Sequence, residues 1–214
     1  MPDDAPLVDA PFAARRTTVR AKHAASLIVL RHQNNEPHML MGMRGAKHRF
    51  MPNRLVFPGG RVDRADLTAP SATGLSPATE RALRKKTNAK LAHALGAAAA
   101  RELHEETGLS LGTPPHLDVL HYLARAVTPP GLPIRFNARF LVVEERHVSG
   151  NLGGDGELDG LRFYGMSEAL ALELALPTRR VLERLKLWLT LSESERDAQI
   201  ATPVLLRDRG WLME

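Results

Sequence analysis

The stretch that most constrains the fold runs from Ala97 to Leu109 and joins an alanine run to a dense group of carboxylates. Four consecutive alanines favour a helix because alanine has the highest helix propensity, and their small side chains allow close packing on a sheet. Glu102, Glu105 and Glu106 follow at spacings that place all three on one side of that helix. The sequence therefore predicts a sheet-packed helix that ends in an acidic face.

Carboxylates grouped at the end of a helix are electrostatically unfavourable. Like charges at these spacings repel one another, and the negative end of the helix dipole lies in the same place. Gly108 suits the position just after a helix C-terminus, which indicates that the helix ends here. A divalent cation would reverse the repulsion, and hard carboxylate oxygens suit Mg²⁺ or Mn²⁺. The alternative is a hydrated acidic face without a ligand.

The composition is that of a globular protein. The 214 residues are 43% hydrophobic and 25% charged, which suffices for a core. We expect residues 1–20, which are polar and contain proline, to form a flexible arm, and residues 21–214 to form one domain. No apolar run approaches the roughly 18 residues of a membrane span, and the N-terminus lacks the pattern of a secretory signal.

Charge and cysteine content narrow the expected partners and location. The absence of cysteine excludes disulfides and a cysteine nucleophile, and it fits a cytoplasmic protein. The net charge of +5 favours anionic partners. Only ten aromatic residues are present, which argues against a base-stacking surface for nucleic acid. We expect neither a nucleic-acid nor a membrane partner.

Strand and helix patterns interleave along the chain. Residues 24–30 read as a buried strand, residues 38–43 as its hairpin partner and residues 134–144 as a further strand. Residues 178–191 have the apolar stripe of an amphipathic helix, which is either core or the seam of a homodimer. These patterns predict an α/β fold with a mixed sheet and helices packed on it.

Paired glycines complete a motif with the acidic helix. The tetrapeptide from Phe57 to Gly60 follows a short predicted strand, and adjacent glycines let the backbone approach a ligand closely. Together with Arg101–Leu109 it resembles the Nudix box, in which a glycine, five residues, a glutamate and seven residues precede R-E-U-x-E-E-x-G-U, with U a bulky aliphatic residue. The second half is complete here, and Gly60 matches the opening glycine. The resemblance implies the Nudix α/β/α sandwich, a mixed β-sheet between helices.

An insertion interrupts the box. Gly60 precedes Arg101 by 41 positions instead of 14, so 27 extra residues lie between them, and we place the insertion at about residues 64–92. The isolated glutamate of the motif has no clear counterpart: Asp66 lies six residues after Gly60, and Glu80 lies inside the insertion. Interrupted boxes of this kind look like the Nudix branch that includes the peroxisomal coenzyme A diphosphatases of mammals. Other stretches similar to that branch are Arg49–Asn53, Thr128–Pro130 and Leu176–Arg179.

The resemblance implies metal-dependent hydrolysis of the pyrophosphate bond in a nucleoside diphosphate linked to another moiety. Glu102, Glu105 and Glu106, with the Gly59 carbonyl, would hold Mg²⁺ or Mn²⁺, which shield the pyrophosphate charge and activate water. Glu105 or a further carboxylate would act as the base. Arg101 would orient the carboxylates by an ion pair, for example with Glu105.

The remaining site residues are also implied by the resemblance. A late acidic ligand is expected from another strand or loop, and we favour Glu144 over Glu145 and Glu157. Substrate phosphates would be contacted by basic side chains, for which the candidates are Lys47, Arg49, Arg135 and Arg139. For these four, an ordinary exposed loop or strand face is the alternative.

The resemblance leaves several substrates and functions open. The branch favours coenzyme A or acyl-CoA, with ADP-ribose, a dinucleotide or a nucleotide sugar as the alternative phosphoanhydride substrate. A Nudix-fold binding module without turnover is a different class, and the intact E-x-x-E-E pattern argues against it. A basic nucleic-acid-binding protein is the third class, which the shortage of aromatic residues disfavours.

Overall fold

The computed structural model describes residues 19–45, 53–154, 156–199, 201–206 and 210–214. Lys47 and Arg49, two predicted phosphate contacts, lie outside the described residues, as does nearly all of the predicted N-terminal arm. None of the described helices combines the length and the apolar character that a bilayer crossing requires.

A mixed sheet forms the centre of the described chain. Nine strands build it: β1 (Lys22–Gln33), β2 (Glu36–Arg44), β3 (Leu55–Val56), β4 (Gly59–Arg61), β6 (His121–Val127), β7 (Phe136–Glu144), β9 (Leu158–Gly165), β10 (Pro203–Leu206) and β11 (Gly210–Met213). The order is β11-β10-β6-β7-β1-β2-β3, with β4 paired to β1 and β9 paired to β2. Two short strands, β5 (Leu109–Ser110) and β8 (Ser149–Gly150), pair separately. Strand β1 is central because it runs parallel to β7 and antiparallel to β2 and β4.

Helices cover both faces of this sheet. They are α1 (Pro77–Arg84), α2 (Ala89–Thr107), α3 (Met166–Ala171), α4 (Leu176–Leu189) and α5 (Glu193–Asp197). Alternation along β1 sends Leu27 and Val29 into the core with α2, and Ile28 and Leu30 into the core with α4. The apolar stripe of α4 is therefore core, and the predicted α/β/α sandwich is confirmed.

The predicted insertion is folded onto the body of the domain. It forms a 3-10 turn (Ala65–Thr68), a loop, α1 and the start of α2. Ser76 caps α1 and Asn88 caps α2 by accepting backbone N–H groups. Leu83 of α1 is buried, and the Thr79 hydroxyl donates to the Leu120 carbonyl at 2.6 Å. Helix α1 thus becomes part of the helical layer beside α2.

Candidate metal centre

The last turns of α2 lie against the glycine pair of β4. The Gly59 N–H donates to Oε2 of Glu106 at 2.7 Å. The Glu102 carboxylate covers Gly60 so closely that a Cβ at Gly60 would lie 2.2 Å from Oε1. Gly59 has a φ of +154° and sits against Ser26 of β1, where a side chain has no space. The fold therefore joins the two halves of the motif.

Glu106 is a buried carboxylate with one oxygen left unpaired. The residue is 2% exposed, and its Oε1 has no hydrogen-bond partner. The guanidinium of Arg44 stands 3.7 Å from this oxygen and donates to the Gly59 carbonyl at 3.4 Å. Burial raises the pKa of Glu106 to about 8, against the opposing hydrogen bond from Gly59. Arg44 is a site residue that no feature of the local sequence had indicated.

Arg101 ties the other two glutamates together, as the sequence predicted. Its Nη1 donates to Glu102 at 2.8 Å and to Glu105 at 2.9 Å. Burial raises the pKa of Glu102, and the charge of Arg101 opposes that shift. The Glu105 side chain is 49% exposed, so of the three glutamates it is the one with most freedom to turn.

Asp66 anchors Arg101 from the other side. It is 2% exposed and accepts from Nε and Nη2 of Arg101 at 3.0 and 3.1 Å. It also accepts the Asp63 N–H at 2.7 Å. The hydrogen bonds between Arg101 and Asp66 raise the pKa of Arg101 above its ordinary value. Asp66 thus stands where the isolated glutamate of the motif was missing, and the signal was its spacing of six from Gly60.

Glu144 lies at the wrong end of the sheet to be a late ligand. In the register of β1 it pairs with Leu30, whereas Gly60 pairs with Ala25. Five residues along a strand span roughly 16 Å, so the assignment of Glu144 to the metal centre is corrected. Glu145, the second candidate, is instead ion-paired with Arg31.

Glu157, the third candidate for the late acidic ligand, lies near enough to act electrostatically on the acidic cluster formed by Glu102, Glu105 and Glu106. Its charge contributes to the raised pKa values of Glu102 and Glu106. The loop before it packs on the end of α2, where the Gly153 N–H donates to the Thr107 carbonyl at 2.8 Å. A Cβ at Gly154 would lie 2.1 Å from the Glu106 carbonyl oxygen, so this approach requires glycine.

The two described arginines that were predicted to contact phosphate do not touch the acidic cluster. Arg135 donates to the carbonyls of Thr128 and Val19 and so staples two backbone segments. Arg139 is 1% exposed, so the alternative of an exposed strand face does not apply to it. It lines a pocket with Arg125 and residues of α1.

The oxygen atoms of the acidic cluster suit a divalent metal in their chemistry, but the side chains do not surround a common point. Among the described residues, no three acidic or histidine side chains already form a group able to hold a metal ion. Arg101 holds Glu102 and Glu105 at present. The unpaired Oε1 of Glu106 and the carboxylate packed on Gly60 are hard oxygen donors of the kind that suits Mg²⁺ or Mn²⁺. Binding would require Glu105 to turn from Arg101 towards the ion.

Comparisons with known proteins agree with this geometry. Residues 92–185 match the family model described as NUDIX domain. A NUDIX hydrolase from Alicyclobacillus acidocaldarius shares 24% identity over 77% of this chain and 90% of its own, with a TM-score of 0.61. A MutT NUDIX hydrolase from Burkholderia pseudomallei shares 17% identity over 78% and 99%, with a TM-score of 0.52.

A further similar structure is the NUDIX domain of Shewanella oneidensis NrtR, solved in complex with ADP ribose. It shares 12% identity over 83% of this chain and 94% of its own, with a TM-score of 0.54. No curated protein matches the chain. Residues 92–185 thus match the NUDIX domain model, and the described chain has a fold like that of the similar Nudix hydrolases.

Proposed function

We propose that this protein is a metal-dependent Nudix pyrophosphohydrolase, which cleaves the diphosphate of a nucleoside diphosphate linked to another moiety. The observation that carries the proposal is the acidic cluster held on the glycine pair, in which Glu106 is 2% exposed and has an unpaired oxygen. A buried carboxylate oxygen without a hydrogen-bond partner is costly, and a bound divalent cation would satisfy it. The NUDIX domain match and the Nudix hydrolase neighbours support the same class of enzyme.

Each residue of the cluster has a role in this reaction. Glu102, Glu105, Glu106 and the Gly59 carbonyl would hold Mg²⁺ or Mn²⁺, which supplies charge neutralisation and a more acidic bound water. Glu105 reaches solvent and would accept the proton of the attacking water. Arg101 positions Glu102 and Glu105.

Glu157 replaces Glu144 as our candidate for the late acidic residue. Its charge acts on both buried glutamates of the cluster, and the loop before it is fixed to α2. We propose that it adds a carboxylate to the metal centre once an ion is bound.

Coenzyme A or acyl-CoA is the first substrate candidate because the interrupted box resembles that branch. ADP-ribose is the second candidate, since the NUDIX domain of Shewanella oneidensis NrtR was solved with ADP ribose. Both contain a diphosphate between a nucleoside and another moiety, so one set of catalytic residues serves either. The homodimer and the cytoplasmic location stay predictions.

A substrate panel tests the proposal. Coenzyme A, acetyl-CoA, ADP-ribose, a dinucleotide and a nucleotide sugar are incubated with Mg²⁺ or Mn²⁺, and the products are identified by mass. We expect cleavage at the diphosphate of at least one compound, and no cleavage in EDTA. Binding of these compounds without any turnover would indicate a non-catalytic module instead.

A matched pair of variants tests the site. Glu105→Gln should lower the turnover number by about 10²- to 10⁴-fold, because it removes the proposed base. Glu80→Gln makes the same chemical change on the exposed face of α1 and should leave turnover unchanged. Full activity in Glu105→Gln would overturn the assignment.

A further inference from the structure

A second cluster of charged side chains lies between α1 and the sheet. We call it the basic pocket, and it is lined by Lys85, Lys86, Arg125, Arg139, Tyr122 and Glu214, among others. The cations come from the end of α1, from β6 and from β7. The insertion therefore builds one wall of this pocket.

Arg139 is a buried cation whose donors are incompletely used. It is 1% exposed, and its Nη1 donates to the Asn137 carbonyl at 2.8 Å and lies 3.1 Å from Nδ1 of His23. Its Nη2 has no hydrogen-bond partner, and no carboxylate of the described chain forms an ion pair with it. Burial lowers the pKa of Arg139 to about 10. A buried guanidinium of this kind is expected to have an anionic partner.

Glu214 supplies the carboxylate of the basic pocket. Its Oε2 accepts from Arg125 at 2.5 Å, its Oε1 lies 3.8 Å from Lys86, and its main-chain oxygen accepts from Lys85 at 2.7 Å. With this side chain in place, the pocket has no room for a water molecule. The backbone of Glu214 is held by two hydrogen bonds to Thr202, so only the side chain would have to leave.

The charge balance of the pocket favours a dianion over a single carboxylate. Of the four cations that line the pocket, Lys85 donates to the main-chain oxygen of Glu214. Apart from Lys85, three positive charges, on Lys86, Arg125 and Arg139, face the one side-chain carboxylate of Glu214, an excess of two. A phosphate group carries about two negative charges at neutral pH. Guanidinium groups match phosphate oxygens with paired N–H donors, which adds geometric selectivity.

We propose that the basic pocket is a phosphate-binding site, and that the Glu214 carboxylate occupies the phosphate position in the free protein. The site is separate from the candidate metal centre. Arg139 and Gly60 flank Ala25 from opposite sides, which sets their Cα atoms roughly 10 Å apart. The phosphate site does not depend on the proposed hydrolysis, because none of its residues belongs to the acidic cluster.

Calorimetric titration with inorganic phosphate tests the site on the whole chain. EDTA excludes metal-mediated binding, and constant ionic strength controls screening. Glu214→Gln should bind phosphate at least tenfold more tightly than the wild type, because the competing charge is gone. Glu183→Gln removes a charge from an exposed ion pair on α4 and should bind like the wild type. Equal affinities of Glu214→Gln and wild type would overturn the proposal.

Removing a cation should have the opposite effect. In the Glu214→Gln background, Arg139→Lys should weaken phosphate binding at least tenfold because the paired donors are lost. If Arg139→Lys does not fold, Lys86→Gln serves, since this side chain is 52% exposed. Glu105→Gln should leave phosphate affinity unchanged, which separates this site from the metal centre. Phosphate binding that survives the Lys86 and Arg139 changes would place the anion elsewhere and refute the site.

Discussion

Two charge clusters lie beneath the helical layer of α1 and α2, and each has an excess of one sign. In the acidic cluster the unpaired atom is an acceptor, Oε1 of Glu106. In the basic pocket the unpaired atom is a donor, Nη2 of Arg139. Each cluster includes a partial internal counterion, Arg101 in the first and Glu214 in the second.

The clusters differ in how they are built. Glu102, Glu105 and Glu106 of the acidic cluster all come from the C-terminal end of α2, whereas the basic pocket takes one or two residues from each of several elements. Both nevertheless leave a buried polar atom unpaired, which is uncommon in folded proteins. In both clusters the unpaired buried atom is the observation on which the proposed ligand site rests, and only the acidic cluster has a local sequence motif beside it.

The largest expected effect concerns Asp66, which holds Arg101, the internal cation of the acidic cluster. Asp66→Asn should lower the free energy of unfolding by about 3 kcal/mol, because Arg101 loses a buried counterion. For a chain of this length, that corresponds to a fall of roughly 6–12 °C in Tm. Urea denaturation of metal-free protein measures it.

Asp63→Asn is the matched control for this change. Asp63 is 55% exposed and pairs with an exposed arginine at 3.7 Å, so its loss should cost less than about 0.5 kcal/mol. Equal destabilisation by both variants would show that Asp66 does not anchor the cluster.

The next largest effect concerns Gly60, on which the Glu102 carboxylate packs. The lining of the basic pocket contains no such glycine. Gly60→Ala would place a Cβ 2.2 Å from Glu102 Oε1, so the carboxylate must swing away. We expect turnover to fall about 100-fold, equivalent to about 2.7 kcal/mol, because Glu102, a proposed metal ligand, is displaced. Gly74→Ala has no neighbour within 4 Å and should retain full turnover. Retained turnover in Gly60→Ala would mean that the position of Glu102 is not critical.

A smaller effect separates the clusters by pH. The pKa of Glu106 is raised from 4.5 to about 8, so the folded protein keeps a proton that the unfolded chain releases. Stability of the metal-free wild type should therefore fall as pH rises from about 4.5 to 8. Glu106→Gln removes the ionisable group and should raise Tm by a few degrees at pH 9, and by less at pH 6, where only part of this loss has occurred.

Thermal scans in EDTA at both pH values measure this difference. Glu183→Gln, on the surface of α4, should shift Tm equally at pH 6 and pH 9. In the basic pocket the buried arginine keeps a pKa of about 10, above both pH values. A Glu106→Gln protein that is no more stable than wild type at pH 9 would argue against a buried charge at this position.

The smallest effect tests the reassigned late carboxylate. Glu157→Gln should lower kcat/KM about tenfold, roughly 1.4 kcal/mol, because the carboxylate that we propose as the late ligand is lost. Glu144→Gln, at the end of β7, should stay within about twofold of wild type. A larger loss of kcat/KM in Glu144→Gln than in Glu157→Gln would show that Glu157 is not the late carboxylate.

Local sequence was sufficient for the acidic helix and the glycine pair. Alanine propensity, the glutamate spacing and the cap glycine are properties of neighbouring residues, so α2 ends at Thr107 as predicted. The mixed sheet with helices packed on it also followed, because strand and helix periodicities depend only on short segments. The α/β/α arrangement was implied by the resemblance to the Nudix family.

Only the tertiary structure decided which distant residues join these segments. Strand register placed Glu144 far from the cluster, and the packing of a glycine loop on α2 brought Glu157 towards it. Docking of α1 on the sheet buried Arg139 against Arg125 and brought Glu214 beside them. Register and docking depend on contacts between residues far apart in sequence, and spacing along one chain does not encode such contacts directly. The sequence by itself therefore determined the candidate metal ligands of α2, and the folded chain decided their partners and the second, basic pocket.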